Sequence, residues 1–169
     1  MKIIKKITGN YLETNVAGVK AREIIDRDLR TLCVVFMRLD TIPKISVQRI
    51  CTDSLHSVSL HEVYSKYDSI FDPNRSKAGT ITIYADAICN DVKNNERRFE
   101  EEVMKALCHE LVHYRQEMNQ DINLHDHSKL LFKDGFDFDA YRDSPYEKEA
   151  REIGDKLYSI LITDSNRIQ

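Results

Sequence analysis

Residues 96–118 read ERRFEEEVMKALCHELVHYRQEM, and this stretch decides how the chain folds. Apolar side chains recur through it at spacings of three and four residues, the repeat of a helix with one face on a core; they are Val103, Leu107, Leu111, Tyr114 and Met118. Asn94 and Asn95 precede the stretch and can cap a first helical turn. The sequence therefore predicts a long helix from about Glu96 to Met118.

The same stretch carries His109-Glu110-Leu111-Val112-His113, an HExxH motif. On a helix, positions i and i+4 are about 40° apart, so both imidazoles can reach one metal ion. Glu110 is about 100° round from His109, beside the metal, where its carboxylate can take a proton from a water molecule that zinc activates. The motif predicts a zinc site with His109 and His113 as ligands and Glu110 as general base.

A zinc site in a hydrolase usually has three protein ligands and one open position, so a third ligand has to come from elsewhere. His125 or His127 could serve if their loop folds back, an arrangement similar to that of SprT-type proteases. The other source is a glutamate of the last predicted helix, Glu147 or Glu149, which border its apolar face equally. The residues alone leave these possibilities open.

The last helix is predicted from Ser144-Pro145-Tyr146-Glu147 to about Ile162. Serine suits the N-cap, proline the first helical position, and glutamate the capping box. In a capping box the carboxylate of Glu147 would reach back to the N–H of Ser144 instead of binding a metal. Gly154 lies on the Glu147 side of this helix and would ease the close approach of a neighbouring helix.

Two motifs taken together resemble those of a known group of proteins. The HExxH motif at residues 109–113 is followed by Pro145-Tyr146-Glu147-Lys148-Glu149-Ala150, which has the pattern PxExEA. The pair is similar to the motifs of small gluzincins, stand-alone phage and bacterial domains that look like minimal thermolysin-like metallopeptidases. The resemblance covers about Ile70 to Gly154. It departs from the family at Arg151, where gluzincins often have an Asp or Asn that orients a histidine.

The resemblance implies a zincin-like fold and a set of roles. Glu147 would be the third zinc ligand beside His109 and His113, and Ala150 would permit close packing against the HExxH helix. The substrate would be a protein or peptide that binds as an extended strand. The strand that pairs with it would correspond to Thr80–Tyr84.

Four further elements complete the predicted fold. An apolar repeat of three and four residues predicts a helix from about Val16 to Leu39. Strands are predicted over Lys44–Ile50 and Thr80–Tyr84, and a weaker one over Val58–Tyr67. Turn-forming residues 71–79 join Val58–Tyr67 to Thr80–Tyr84 as a hairpin. We therefore expect one α+β domain over residues 1–169, with a small mixed sheet that ends in an edge strand.

Composition excludes several classes of function. With 41% hydrophobic and 31% charged residues and a net charge of -3, the chain is globular and has no basic field to attract nucleic acid or an anionic membrane. No apolar run approaches the roughly 20 residues of a membrane span. The four cysteines form no CxxC pair and no secretory signal follows the N-terminal lysines, so we expect a cytoplasmic protein.

The function predicted from these features is that of a zinc metalloendopeptidase, in which Glu110 takes a proton from water and passes it to the leaving amine. Candidates for stabilising the developing oxyanion lie in the C-terminal part of the chain without diagnostic spacing; they are Tyr141, Tyr146, His125 and His127. Two alternatives remain. One is a binding or regulatory protein on a zincin scaffold, and the other is a SprT-like DNA-associated protease with His127 as a ligand.

Overall fold

The computed structural model describes residues 14–39, 41–48, 65–68, 79–119 and 138–165. They form an α+β fold, as predicted, in which helix predominates. The helices are α1 (Thr14–Thr31), α2 (Ala85–Asp91), α3 (Glu96–Met118), α4 (Phe138–Arg142) and α5 (Pro145–Ser165). The strands are β1 (Lys44–Gln48), β2 (Ser65–Asp68) and β3 (Thr80–Tyr84).

The three described strands form one mixed sheet in the order β1-β3-β2. β3 runs parallel to β1, with Ile81 opposite Ile45, and antiparallel to β2, with Ile81 opposite Tyr67. All residues from Ile81 to Tyr84 are buried, and a run of consecutive buried residues is typical of a strand that is covered on both faces. β3 is therefore the central strand of the sheet.

The expectation that Thr80–Tyr84 offers its edge to a substrate strand is wrong, because β1 and β2 already occupy both of its edges. An apolar pattern predicts that a segment is a strand, but it does not reveal the order of strands in a sheet. Within the described sheet, the outer positions belong to β1 and β2. Of these two, β2 packs substantially against α3.

The predicted hairpin is confirmed, since β2 and β3 pair antiparallel. β1 covers the first part of the predicted Lys44–Ile50, and β2 overlaps the end of the predicted Val58–Tyr67. The remainder of both ranges and turn residues 71–78 lie outside the described residues. The sequence pattern does not predict α2 or α4, because each is shorter than the window over which a helical repeat can be recognised.

The N-terminal helix is regular up to Thr31 and then changes its winding. Leu32–Phe36 form a π-helical segment, in which the N–H of Met37 donates to the carbonyl of Leu32 at 3.0 Å. The helix predicted for Val16–Leu39 thus begins as expected but ends in a wider turn. Leu32 and Cys33 are buried there, whereas the valines that follow them are exposed.

α3 spans the predicted range, and the side chain of Asn95 accepts a hydrogen bond from the N–H of Arg98, as a helix cap does. It is the central helix: α1, the sheet and α5 all pack against it. The packing with α5 is the most extensive of these, and it positions the candidate site. None of the described helices is long and apolar enough to cross a membrane.

Candidate metal centre

Three residues predicted as metal ligands come together where the start of α5 meets α3. Nε2 of His113 lies 3.1 Å from Oε1 of Glu147, and Nε2 of His109 lies 3.4 Å from Oε2 of the same carboxylate. The two Nε2 atoms are 3.1 Å apart, and the imidazole rings are nearly perpendicular at 87°. The ligand atoms all lie within 4.8 Å of one another, so the three side chains could hold one metal ion.

The separations between these atoms fit zinc. Zinc bonds to histidine nitrogen and carboxylate oxygen are about 2.0–2.2 Å long, so two ligands of a tetrahedral site are about 3.3–3.5 Å apart. The two Nε2 atoms are 3.1 Å apart and each lies 3.1 or 3.4 Å from its nearer oxygen of the Glu147 carboxylate, separations close to that range. Three donors leave a fourth position open. The side chain of His109 is 25% exposed, whereas those of His113 and Glu147 are 7% exposed, so solvent reaches the cluster from the side of His109.

Glu147 reaches the histidines because of the way α5 begins. Oγ of Ser144 accepts a hydrogen bond from the N–H of Glu147 at 3.3 Å, so the serine caps the helix as predicted. The N–H of Ser144 donates to the carbonyl of Tyr141 at 3.1 Å. The carboxylate of Glu147, which a capping box would turn back towards that N–H, instead contacts His109 and His113.

Glu149, the other glutamate considered as third ligand, contacts different groups. Its Oε2 accepts a hydrogen bond from Nε2 of Gln116 at 2.9 Å, and its Oε1 lies 3.8 Å from the guanidinium of Arg115. Glu149 is therefore not part of the described cluster. The alternative ligands His125 and His127 lie outside the described residues.

α5 approaches α3 closely because small residues lie at the contact. A Cβ atom added at Gly154 would be 3.2 Å from both Cα and the backbone nitrogen of His109, tighter than ordinary van der Waals contact. Ala150 is fully buried. Gly154 thus has the role that its position on the helix predicts, and the short distance between the helices lets the carboxylate of Glu147 reach α3.

In the absence of metal, the electrostatics of the cluster favour a charged pair. Burial opposes protonation of His113, but the hydrogen bond with Glu147 and the charges of Glu110 and Glu147 outweigh it and raise the pKa of His113 to about 9. Burial favours the neutral form of Glu147 as well, yet the hydrogen bonds from His109 and His113 lower its pKa well below the usual range. The carboxylate is therefore ionised, as a metal ligand must be.

Two further predicted residues lie at the centre. Glu110, the predicted general base, is 4% exposed, and its charge raises the pKa of both His113 and Tyr141. Tyr141, one of the tyrosines considered for oxyanion stabilisation, hydrogen-bonds to Glu147; burial and the charge of Glu147 raise the pKa of its hydroxyl. That hydroxyl stays protonated near neutral pH and can donate a hydrogen bond.

The sequence pattern missed one residue that contacts a candidate ligand. Oε1 of Gln116 lies 2.9 Å from Nδ1 of His113. Arg151 stands where gluzincins often have a residue that orients a histidine, but its guanidinium donates to the carbonyl of Arg142. The available signal for Gln116 was its spacing, since a residue three positions after a ligand histidine lies on the same face of the helix.

Cys108 adjoins His109 but does not belong to the centre. It is fully buried, and burial raises the pKa of its thiol to about 12. A thiol with so high a pKa carries almost no thiolate near neutral pH. Cys108 therefore serves as a small apolar core residue, as its position on the helix predicts.

Compared with known proteins, the chain matches no family model, and no curated protein or solved structure is significantly similar to it. Two imidazole nitrogens, one ionised carboxylate, an adjacent buried glutamate and a phenol hydroxyl are present within a small volume. This set is suited to binding a divalent cation and moving a proton beside it.

Proposed function

We propose that this protein is a zinc-dependent metalloendopeptidase with a zincin-like fold, in which His109, His113 and Glu147 hold the metal and Glu110 is the general base. The observation that carries the proposal is the contact of one carboxylate on α5 with both imidazoles on α3. A pair of histidines on one helix is common on protein surfaces. A buried glutamate that meets both of them, with a second buried glutamate next to the first histidine, is much more specific to a hydrolytic metal site.

The resemblance of the HExxH and PxExEA motifs to those of small gluzincins supports a peptide bond as the substrate. A bound zinc ion would polarise the carbonyl and lower the pKa of water to about 7. Glu110 would accept a proton from the attacking water as the water oxygen bonds to the carbonyl carbon. The same carboxyl group then donates the proton to the amine nitrogen as the carbon–nitrogen bond breaks. The single hydroxyl proton of Tyr141 is donated to Glu147, so Tyr141 would have to turn away from that carboxylate to donate a hydrogen bond to the oxygen on which negative charge develops.

We infer that the peptide substrate lies along β2 as an added strand. An extended peptide binds to a sheet through an edge strand, whose backbone groups can accept a new partner. β2 is at the edge of the described sheet and packs against α3, the helix that carries the histidines. β1 lies at the other edge of the described sheet, because β3 separates it from β2.

Metal content is the first test of the proposal. The wild type is compared with Glu147→Ala and with Glu152→Ala, which changes an exposed glutamate on the same helix. Elemental mass spectrometry after dialysis is expected to find about one zinc per chain in the wild type and in Glu152→Ala, and little in Glu147→Ala. A well-folded wild type that retains no zinc would contradict the proposal.

Hydrolysis is the second test. The wild-type protein with zinc is incubated with a mixed peptide library, and new termini are detected by mass spectrometry. Glu110→Gln is expected to keep its zinc and to cleave at least about 100-fold more slowly, because it lacks a general base. If both proteins hold zinc but neither cleaves any peptide, the endopeptidase proposal is wrong and a binding protein on the same scaffold is the better interpretation.

A further inference from the structure

Gln116 is a buried amide in the middle of the interface between α3 and α5, and its side chain is 1% exposed. A buried amide costs free energy unless its donors and acceptor are paired. Its Oε1 is 2.9 Å from Nδ1 of His113. Its Nε2 donates to Oε2 of Glu149 at 2.9 Å and to the carbonyl of Tyr146 at 3.3 Å. Both donor positions and the acceptor are therefore used.

These contacts fix the direction of the amide. A carboxylate and a backbone carbonyl only accept hydrogen bonds, so the group that faces Glu149 and Tyr146 must be the NH₂ of Gln116. The oxygen then faces His113, and because it only accepts, Nδ1 of His113 must carry a proton. With Nδ1 held protonated, Nε2 is the nitrogen that gives up its proton when a metal binds, and its lone pair is then available to the ion. Nε2 is the atom that lies against His109 and Glu147.

We propose that Gln116 is a positioning residue for the metal centre: it holds His113 with Nε2 free for the metal and ties this ligand to the helix that supplies Glu147. The proposal rests on the proposed metal site. The two acceptors on α5, Tyr146 and Glu149, lie on either side of Glu147 in the chain. One amide thus links the orientation of a ligand on α3 to the position of the third ligand on α5. Such partners of ligand histidines typically contribute 10- to 100-fold to metal affinity.

The competing explanation is that Gln116 only bridges two helices. Both explanations predict that replacing it destabilises the protein, so stability alone does not distinguish them. A helix bridge without a role in the centre predicts unchanged zinc affinity in the folded variant. A positioning residue predicts weaker zinc binding and loss of the hydrogen bond at Nδ1 of His113.

The experiment uses the full chain and three variants: Gln116→Met, which has similar volume and no polar group, Gln116→Glu, and Gln116→Glu combined with Glu149→Gln. Glutamate at position 116 still accepts a hydrogen bond from Nδ1 of His113, but it places a second carboxylate against that of Glu149. The double variant restores a donor and acceptor pair between α3 and α5 with the direction reversed. Zinc affinity is measured by competition with a chromophoric chelator, and the Nδ1 proton is detected as a downfield resonance in proton NMR, assigned with ¹⁵N-labelled histidine.

Gln116→Met is expected to bind zinc about 10- to 100-fold more weakly and to lose the downfield Nδ1 resonance. Gln116→Glu should keep the resonance, and the double variant should regain most of the affinity that Gln116→Glu loses. Folded Gln116→Met that binds zinc within about twofold of wild type, or that keeps the resonance, overturns the proposal.

A second variant covers the case in which Gln116→Met does not fold. Glu149→Ala removes one acceptor on a side chain that is 47% exposed and leaves the core intact. It is expected to weaken zinc binding a few-fold, and unchanged affinity would contradict the link to α5. Failure of the proposed function is seen separately, as absence of zinc binding in the wild type. The Nδ1 resonance of metal-free protein still tests whether Gln116 holds His113.

Discussion

α3 presents two faces that are stabilised in different ways. One face is apolar and fully buried in the hydrophobic core; it includes Phe99, Val103, Leu107 and Leu111. The face towards α5 is polar and contacts that helix through hydrogen bonds and ion pairs; it includes His109, His113 and Gln116. Apolar burial depends on shape and volume, whereas contacts between ionisable groups depend on pH and on bound cations. One helix can thus stabilise the fold with one face and carry chemistry on the other.

A substitution on the apolar face should cost the most stability. Leu107→Ala removes a fully buried side chain and is expected to lower the free energy of unfolding by about 2–5 kcal/mol, because it leaves a cavity. Urea denaturation of metal-free protein measures this loss. Zinc bound per folded chain should not change, since Leu107 is on the other side of the helix. Loss of zinc from folded Leu107→Ala would show that the two faces are not independent.

A smaller effect, with a distinctive pH dependence, is expected from the polar face. Glu147→Gln in metal-free protein removes the partner that raises the pKa of His113 to about 9. A histidine with a raised pKa contributes stability that is fully present below its ordinary pKa of about 6.5 and is lost as pH rises through about 9. A carboxylate with a lowered pKa contributes stability that is present above about 4.5 and is lost as pH falls.

The difference in unfolding free energy between wild type and Glu147→Gln should therefore be largest between about pH 4.5 and 6.5, on the order of 2 kcal/mol, and should decline on both sides. Denaturation at several pH values measures it. For Leu107→Ala the corresponding difference should be the same at every pH, because no ionisable group is removed. A constant difference for Glu147→Gln would mean that the pair of His113 and Glu147 is not charged in the metal-free protein.

The apolar face could be predicted from the sequence almost completely. The repeat from Val103 to Met118 and the cap at Asn95 predicted both ends of α3, because local signals determine where a helix begins and which face is buried. The same holds for Ser144 at the start of α5. The position of β3 in the centre of the sheet could not be predicted, because strand order depends on contacts between distant segments.

The polar face was only partly predictable. The spacing of His109 and His113 predicted that they share a side of α3, and their contact with each other agrees with this. Glu147 and Glu149 could not be distinguished by periodicity, because both border the apolar face of α5. In the structure the amide of Gln116 engages Glu149 and the histidines engage Glu147, and these are contacts between two helices that no local pattern contains.

The smallest expected effects compare two glycines in helices. Gly18 in α1 has nothing within 4 Å of an added Cβ, whereas at Gly154 in α5 that atom would be 3.2 Å from the backbone of His109. Alanine restricts the unfolded chain and favours helix, so Gly18→Ala should stabilise the protein by about 0.5–1 kcal/mol. Gly154→Ala brings the same gain in stability from the alanine itself. Because its Cβ lies too close to the backbone of His109, however, α5 must move away from α3 by a few tenths of an ångström.

We expect this displacement to outweigh the gain and leave Gly154→Ala about 1 kcal/mol less stable than wild type. The displacement also draws Glu147 away from both histidines, so zinc binding should weaken in Gly154→Ala and stay unchanged in Gly18→Ala. Thermal denaturation and zinc titration of the two variants measure both effects. If Gly154→Ala were as stabilising as Gly18→Ala and bound zinc equally well, the close approach of the two helices would not be what brings Glu147 to the metal centre, and a longer reach of its side chain would have to account for the contact.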